Sequence, residues 1–160
     1  MRVIGIDLGE RRIGVAVSDA SGTLARPLTT IQRGMSDADA VDRLQMTIAD
    51  LAAEDEVGSV VVGLPTKLDG TPNKQTERIR TMVALLSERL PVPVFTYDER
   101  LSSREAEERL SIREKDWRKR KAKLDAAAAA VILQDYLDAR SLTTQRADNT
   151  RQKDNQGDTE

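Results

Sequence analysis

Four acidic residues stand where this sequence otherwise has the pattern of a buried core. Asp7 ends an apolar run, Asp98 and Glu99 follow the segment "PVPVFTY", and Asp125 begins an alanine-rich stretch. The chain has no His and no Cys, so three acids meeting at one place would form a site of hard oxygen ligands. Mg²⁺ and Mn²⁺ prefer such ligands, and two of these ions can activate a water and stabilise the leaving oxygen of a phosphodiester. The acids therefore predict metal-dependent hydrolysis.

Local periodicity limits which of these acids can share a site. Side chains alternate along a strand, so Asp98 and Glu99 point to opposite faces and only one of them can readily join Asp7. On the final helix, Asp125 shares a face with Ala128, Ala129, Ile132 and Tyr136. That face should pack on the sheet, where a carboxylate is costly unless it is paired or bound to a metal.

Each acid also has an ordinary structural interpretation. Asp7 fits a turn at the end of a strand, Asp125 fits an N-cap for the alanine run, and Glu99 could pair with Arg100 or Arg104. Taken together at the ends of neighbouring strands, where ligand sites form in sheets of this kind, the three acids favour a functional site.

Basic and glycine-containing segments lie close to these acids in the sequence. Arg11 and Arg12 occupy a short turn, and "RKRKAK" covers residues 118–123. Both segments fit solvated surface charge and also fit contacts to phosphate groups. The segment "GLP" at residues 63–65 is expected to end a strand, whether or not it has a further role.

The hydrophobic pattern predicts one mixed five-stranded α/β sheet with helices on both faces. Strands at 2–7, 13–18 and 23–31 form an antiparallel meander, and two later strands run parallel to the first. The predicted strands and helices after the meander are a helix at 37–53, a strand at 59–65, a helix at 73–89, a strand at 91–97, a helix from Ser102 and a helix at 117–139. We expect a single domain over residues 1–140 and a disordered polar tail over 141–160.

Composition narrows the class of protein. A chain of 160 residues suits one domain, and it contains no apolar run long enough for a transmembrane helix and no signal-peptide pattern at its start. The absence of cysteine fits a reducing cytoplasm. The formal net charge of −2 predicts that any nucleic-acid contact depends on local basic clusters.

Four motifs together resemble the YqgF/RuvX family, described as pre-16S rRNA nucleases and as Holliday junction resolvases. The motifs are "GIDLGERRIGVAVSD", "VVVGLPTKLDGT", "YDERLSSREAEERL" and "KLDAAAAAVILQDYLD". The resemblance covers roughly residues 1–139 and implies an RNase H-like fold in a bacterial cytoplasmic protein. It further implies an endonuclease, dependent on Mg²⁺ or Mn²⁺ and acting in maturation of the 5′ end of 16S rRNA.

The resemblance also implies roles for individual positions. The catalytic and metal-binding acids would be Asp7, Glu99 and Asp125, with Asp98 as the alternative to Glu99. The residues on the substrate side would be Arg11, Gly63, Leu64, Pro65, Arg100 and Lys123. The expected partner is nucleic acid, either precursor rRNA in a ribosomal context or branched DNA.

Competing functions stay open at the level of sequence. A junction resolvase would need a dimer with two active sites, and the sequence does not decide between a monomer and a homodimer. A non-catalytic RNA-binding module of ribosome assembly would keep the acids only as remnants. The first motif also resembles the phosphate loop of actin-like and sugar kinases, but those proteins need a second copy of the domain, for which this chain is too short.

Overall fold

The computed structural model describes residues 1–64, 74–98 and 117–154 of the chain. The elements in chain order are β1 (Arg2–Leu8), β2 (Arg12–Ser18), β3 (Ala25–Gln32), α1 (Asp37–Glu54), β4 (Val57–Leu64), α2 (Lys74–Arg89), β5 (Val94–Asp98) and α3 (Trp117–Asp154). The helix predicted to begin at Ser102 lies outside the described residues. No helix within these ranges has both the length and the apolar character needed to cross a membrane.

The five strands form one sheet in the order β3-β2-β1-β4-β5. Strands β1, β2 and β3 pair antiparallel, as the short connections between them require. Strand β4 runs parallel to β1, and β5 runs parallel to β4, so their carboxyl ends lie at one edge of the sheet. The predicted mixed five-stranded sheet is therefore confirmed.

Strand side chains alternate between two hydrophobic clusters, one on each face of the sheet. In the first cluster, Ile4, Ile6 and Leu8 of β1 pack with buried residues of α1 and α2. In the second cluster, Val3 of β1 and Ala16 of β2 pack with α3. The predicted covering of both faces by helices is confirmed, and the odd-numbered positions of β1 face α3.

Helix α1 follows the local signals in its sequence. The Ser36 hydroxyl accepts a hydrogen bond from the Asp39 amide at 3.2 Å, which satisfies one of the free N–H groups at the helix start. The apolar residues at helical spacing are fully or nearly fully buried against the sheet, namely Ala40, Val41, Leu44 and Ile48. The prediction for this helix is correct to within one residue at its end.

Helix α3 lies very close to the sheet because small residues face each other. A Cβ built on Gly5 of β1 would lie 2.7 Å from the Leu133 Cβ and 3.0 Å from the Ala129 carbonyl oxygen. The helix is also tied to the chain at the start of β3, since the Ala25 amide donates to the Gln134 side-chain oxygen at 2.9 Å. Gly5 of β1, opposite Ala129 and the Leu133 Cβ, is what allows this short distance between helix and sheet.

The same helix runs past the boundary predicted at residue 140 and ends at Asp154. No Gly or Pro occurs between residues 117 and 154, so nothing in this polar sequence interrupts the helical hydrogen bonds. Side chains from Asp138 to Gln145 are exposed, which shows that this stretch of helix is not part of the core. The disorder of residues 141–160 stays a prediction.

The turn between β2 and β3 is built on the carboxylate of Asp19. It accepts hydrogen bonds from the Ser21 hydroxyl at 2.6 Å and from the amides of Thr23 and Leu24 at 2.8 and 3.0 Å. These donors, the Ser21 hydroxyl first, lower the pKa of Asp19 from 3.8 to about 2. The ionised form of Asp19 therefore stabilises the folded chain.

Asp19→Asn is expected to lower the melting temperature only at pH values where the wild-type carboxylate is ionised. Because the folded pKa is depressed, the stabilisation is complete above the unfolded value of 3.8 and is lost as the pH falls through about 2. Thermal unfolding from pH 2 to pH 7 should show the difference between variant and wild type growing over this window. Asp50→Asn, at an exposed position of α1, should show no such growth; a difference that is constant with pH would contradict the assignment.

Removing residues 143–160 is expected to leave the melting temperature nearly unchanged, because the segment contains no aliphatic residue larger than Ala147 and the side chains of residues 143–145 are exposed. Calorimetry of the truncated and full-length chains checks this. A truncation to residue 132, which deletes the buried Leu133 and Leu137, serves as the contrasting control and should destabilise strongly. A large loss of stability in the first truncation would mean that the segment docks on the domain.

Candidate functional site

Asp7 lies at the carboxyl end of β1, on the face covered by α3. It is the second-last residue of the strand and half-buried, between Ile6 and Leu8 of the first cluster. Positions 3, 5 and 7 of β1 lie on the same face of the sheet. Because Val3 and Gly5 face α3, Asp7 faces α3 as well. The structure therefore places this carboxylate between the central strand and the last helix.

Gly14 brings the helix that carries Asp125 next to Asp7. Gly14 of β2 is the cross-strand partner of Asp7 in the antiparallel ladder. A Cβ built on Gly14 would lie 1.9 Å from the Asp125 carbonyl oxygen, so the backbone of α3 fills the space that a side chain would need. Directly opposite residues in a ladder lie about 5 Å apart, so Asp7 and Asp125 flank the same glycine.

The Asp125 carboxylate has a cationic partner in Arg12. The Arg12 Nε lies 3.2 Å from Asp125 Oδ2, and the two side chains are only 20% and 26% exposed. The sequence predicted that a carboxylate on this helix face would need a partner or a metal, and the structure supplies the partner from β2. Such pairing offsets the cost of removing the carboxylate from water.

Asp98 lies on the opposite face of the sheet from Asp7. Its register partner in the parallel pair with β4 is Leu64, which packs in the first cluster. The preceding residue, Tyr97, pairs with Gly63 and packs in the second cluster beside Tyr136 of α3. Asp98 is thus separated from the Asp7 face, while Glu99, Arg100 and Pro65 lie outside the described residues.

The remaining positions predicted on the substrate side occupy different settings. Gly63 and Leu64 end β4, and the Leu64 side chain is buried in the first cluster, so any contact of Leu64 with a ligand would come from its backbone. Lys123 lies in α3 two residues before Asp125, and its side chain is outside the described part. Arg11 is exposed in the connection between β1 and β2.

A polar cleft of about 400 Å³ opens beside these residues. It is lined by Gly9, Glu10, Arg11, Arg12 and Asp125. The β1–β2 connection forms one wall and the first described side chains of α3 form the other. The cleft therefore combines the two guanidinium groups of Arg11 and Arg12 with the two carboxylates of Glu10 and Asp125, so cationic and acidic groups meet at one surface.

Asp7 and Asp125 supply the donor chemistry expected for a hard divalent cation. Both offer carboxylate oxygens, the ligands of Mg²⁺ and Mn²⁺. Among residues 1–64, 74–98 and 117–154, no group of three His, Cys, Asp or Glu side chains is arranged to hold a metal ion. The described residues thus contribute two acids of the predicted set.

Sequence reasoning missed two residues that organise this cleft. Arg12 was named only as one of two turn charges, although its even position in β2, in phase with Gly14, would have placed it on the Asp125 face. Arg33 was not considered, since an isolated Arg after a strand carries no sequence signal. The structure buries Arg33 to 7% exposure against the β1–β2 connection.

The sheet order, the antiparallel meander and the two parallel strands define an RNase H-like fold. Among solved structures, the chain is similar to Thermus thermophilus RuvC in complex with a Holliday junction substrate. The TM-score is 0.53 at 18% sequence identity, over 88% of this chain and 96% of that chain. A second structure of Thermus thermophilus RuvC, described without a substrate, is similar to this chain with a TM-score of 0.51.

The sequence model of the RuvX family, described as Holliday junction resolvase, matches residues 1–139. The chain belongs to the RuvX family, a family of nucleases, which confirms the resemblance seen in the sequence motifs. A relative from Thermoanaerobacter pseudethanolicus is 42% identical over 87% of this chain and 97% of its own length. One from Anaeromyxobacter dehalogenans is 44% identical over 88% and 99%. Both are named "Putative pre-16S rRNA nuclease".

Gly14→Ala is expected to lower the free energy of unfolding by about 3 kcal/mol, at the upper end of the cost of overpacking. The added Cβ meets the Asp125 backbone oxygen at 1.9 Å, and no side-chain rotation can relieve that contact. Urea denaturation measures the change. Gly58→Ala is the matched control, because the three atoms nearest its Cβ all belong to the side chain of Met1, an exposed terminal residue that can shift; equal losses for the two variants would contradict the close contact between α3 and β2.

Proposed function

We propose that this chain is a metal-dependent endonuclease that hydrolyses phosphodiester bonds of precursor 16S rRNA during maturation of its 5′ end. Membership of the RuvX family supports the nuclease class, and the names of the relatives support the ribosomal substrate. The proposal requires an acidic centre and a basic surface on the same side of the sheet. The cleft beside Asp125 meets that requirement.

The contact at Gly14 is the observation that carries the proposal. It brings Asp7 of the central strand and the backbone of Asp125 in the last helix to one glycine, and the Asp125 carboxylate lies beside Arg12, two residues along β2. Ordinary helix packing would place alanine or a larger aliphatic residue at position 125, because a carboxylate between helix and sheet costs stability. A fold that keeps two acids at such a contact supports a catalytic centre.

The residues proposed to hold the metal are Asp7, Glu99 and Asp125. When bound there, two Mg²⁺ or Mn²⁺ ions would lower the pKa of a water and neutralise charge on the leaving oxygen. Asp7 is fixed by the β1 ladder, and Asp125 is fixed by Arg12 and by the close contact at Gly14. Both carboxylates are therefore oriented before any ligand binds, which lowers the cost of assembling the site.

The choice of Glu99 over Asp98 follows from the register of β5. Asp98 pairs with Leu64 of the first cluster and so lies on the face away from Asp7. That position makes Asp98 unsuitable for a site shared with Asp7 and Asp125. Glu99 is then the acid of the "DER" motif that we assign to the centre.

The basic residues are proposed to hold the nucleic acid. Arg11 is exposed at the cleft and free to reach a backbone phosphate, whereas Arg12 is engaged with Asp125. Arg12 therefore orients the carboxylate and balances its charge. Arg100, Lys123 and the backbone of the segment at 63–65 complete the proposed substrate side. Each phosphate contact of this kind makes binding weaker as salt increases.

A Holliday junction is the second candidate substrate. The description of the family and the likeness to RuvC bound to a junction favour it. Cleavage of a junction would require two copies of the site, and so a homodimer, whereas trimming of RNA needs only a monomer. A non-catalytic RNA-binding role in ribosome assembly would use the basic residues without the acids.

The proposal includes a cytoplasmic location and a ribosomal context. Bacterial precursor rRNA is made and assembled with ribosomal proteins in the same compartment, so its nuclease must work there. Co-sedimentation with ribosomal particles tests this part of the proposal.

Asp7→Asn is expected to reduce cleavage at least about 100-fold, because it removes a charged ligand from the proposed metal centre. Its fold should be intact or slightly more stable, since one carboxylate charge of the acidic pair is removed. The assay offers precursor 16S 5′-leader RNA and a four-way DNA junction side by side, with Mg²⁺ and with Mn²⁺. Cutting of the leader RNA alone supports the ribosomal role, and symmetric cutting of the junction supports the recombination role.

Asp98→Asn is the matched control, since Asp98 lies at the same edge of the sheet but on the other face. It should cleave at the wild-type rate, while Glu99→Gln should lose activity as Asp7→Asn does. Unchanged cleavage by Asp7→Asn would refute the site. Loss in Asp98→Asn with full activity in Glu99→Gln would reverse the assignment within the "DER" motif. If wild type cuts neither substrate but binds the RNA, the non-catalytic role gains support.

A further inference from the structure

Arg33 is a buried cation whose contacts are spread over three parts of the fold. Its Nη1 donates to the Gly9 carbonyl at 2.9 Å, and its Nη2 donates to Asp37 Oδ1 at 2.5 Å. Nη2 also lies 3.2 Å from the sulfur of Met82 in α2. The backbone amide of Arg33 donates to the Arg11 carbonyl at 3.1 Å. One residue thus holds two carbonyls of the β1–β2 connection.

The negative charge that balances Arg33 comes from the first turn of α1. Asp37 accepts from Arg33 and also from Arg78 Nη2 of α2, at 2.9 Å. The hydrogen bond from Arg78, followed by that from Arg33, keeps the pKa of Asp37 below its ordinary value. The Asp37 carboxylate therefore stays ionised at neutral pH and anchors the guanidinium of Arg33 between the two helices.

The segment held by Arg33 is the wall of the cleft described above. Residues 9–12 are four of the five residues that line the cleft, and Arg12 contacts the fifth, Asp125. A short connection between strands has few contacts of its own, so its path depends on what its carbonyls bind. The two bonds from residue 33 supply those contacts at Gly9 and Arg11.

We propose that Arg33 is a positioning residue that fixes residues 9–12 so that Arg11 is presented to a phosphate of the substrate. The inference rests on the proposed function for its substrate, since the phosphate belongs to the nucleic acid. Arg33 does not touch the substrate itself. Its side chain lies behind the connection, with its guanidinium directed at Gly9 and Asp37.

The first experiment needs no nucleic acid. Hydrogen exchange of the free protein reports the local opening of residues 9–12. Arg33→Met, which keeps an apolar stem beside Met82, should speed exchange in this segment about tenfold, as expected for loss of a charged hydrogen bond. Arg89→Met is the matched control, because it breaks the other ion pair between α1 and α2, with Asp42, away from the cleft. It should leave the segment unchanged.

The second experiment is a double-mutant cycle with Arg11. Binding of a labelled single-stranded 5′-leader RNA, measured by anisotropy in EDTA, should weaken about tenfold for Arg11→Met and for Arg33→Met alike. The double variant should bind no worse than the weaker single variant, because both changes remove the same phosphate contact. Each single variant should also reduce the dependence of log Kd on log salt by roughly 0.7, the value for one contact on a single strand.

Arg33→Lys separates geometry from charge. It keeps the positive charge but has no planar fork to join Gly9 and Asp37 at once, so it should behave like Arg33→Met. Wild-type binding and exchange in Arg33→Lys would overturn the positioning role. Should Arg33→Met not fold, Asp37→Asn takes its place, since it releases the guanidinium from its anchor and should speed exchange in the same segment.

The outcomes distinguish this inference from the proposed function. Unchanged exchange in Arg33→Met, or a double variant about 100-fold weaker than wild type, overturns the inference while RNA binding by the wild type stands. Failure of the wild type to bind the RNA overturns the proposed function and the phosphate part of the inference. The exchange data still decide whether Arg33 holds the connection in that case.

Discussion

The absence of a side chain at Gly14 sets how the last helix meets the sheet. With 1.9 Å between a virtual Cβ and the Asp125 carbonyl oxygen, only glycine allows the backbone of α3 to lie this close to β2. The position of the Asp125 carboxylate beside Arg12, and the cleft between α3 and the β1–β2 connection, both depend on this contact. The surface of α3 at Ala129 and Leu133 extends the close packing toward Gly5 of β1.

Two ion pairs lie on either side of the connection between β1 and β2. On one side of the connection, Arg12 balances Asp125 of α3. On the other side, Arg33 binds the carbonyls of the connection and is balanced by Asp37. Partly buried ions of this kind add little net stability, because desolvation offsets their attraction. Their effect is to fix one conformation of a short segment that would otherwise have several, and this segment carries the exposed Arg11.

The two described acids of the proposed centre are held by the fold in different ways. Asp7 belongs to the central strand, where ladders on both sides make the backbone rigid. Asp125 belongs to a helix, where its orientation depends on a contact and an ion pair. The strand fixes Asp7 through its backbone, and the helix holds Asp125 through a backbone contact with Gly14 and an ion pair with Arg12. The chain belongs to a family of nucleases, and it has no histidine that could act as a base. Two carboxylates held in these two ways suit such a chain.

The sequence by itself determined the elements and most of the fold. Periodicity located the strands and α1, and the position of Asp7 and Asp125 against apolar surroundings indicated a site, because these signals are local. The tertiary structure decided that Asp98 faces away from Asp7, that Arg12 pairs with Asp125, and that Arg33 supports the cleft. These facts depend on strand register and on the distance of a helix from the sheet. Neither is encoded in a local pattern, since each arises from packing between segments far apart in the chain.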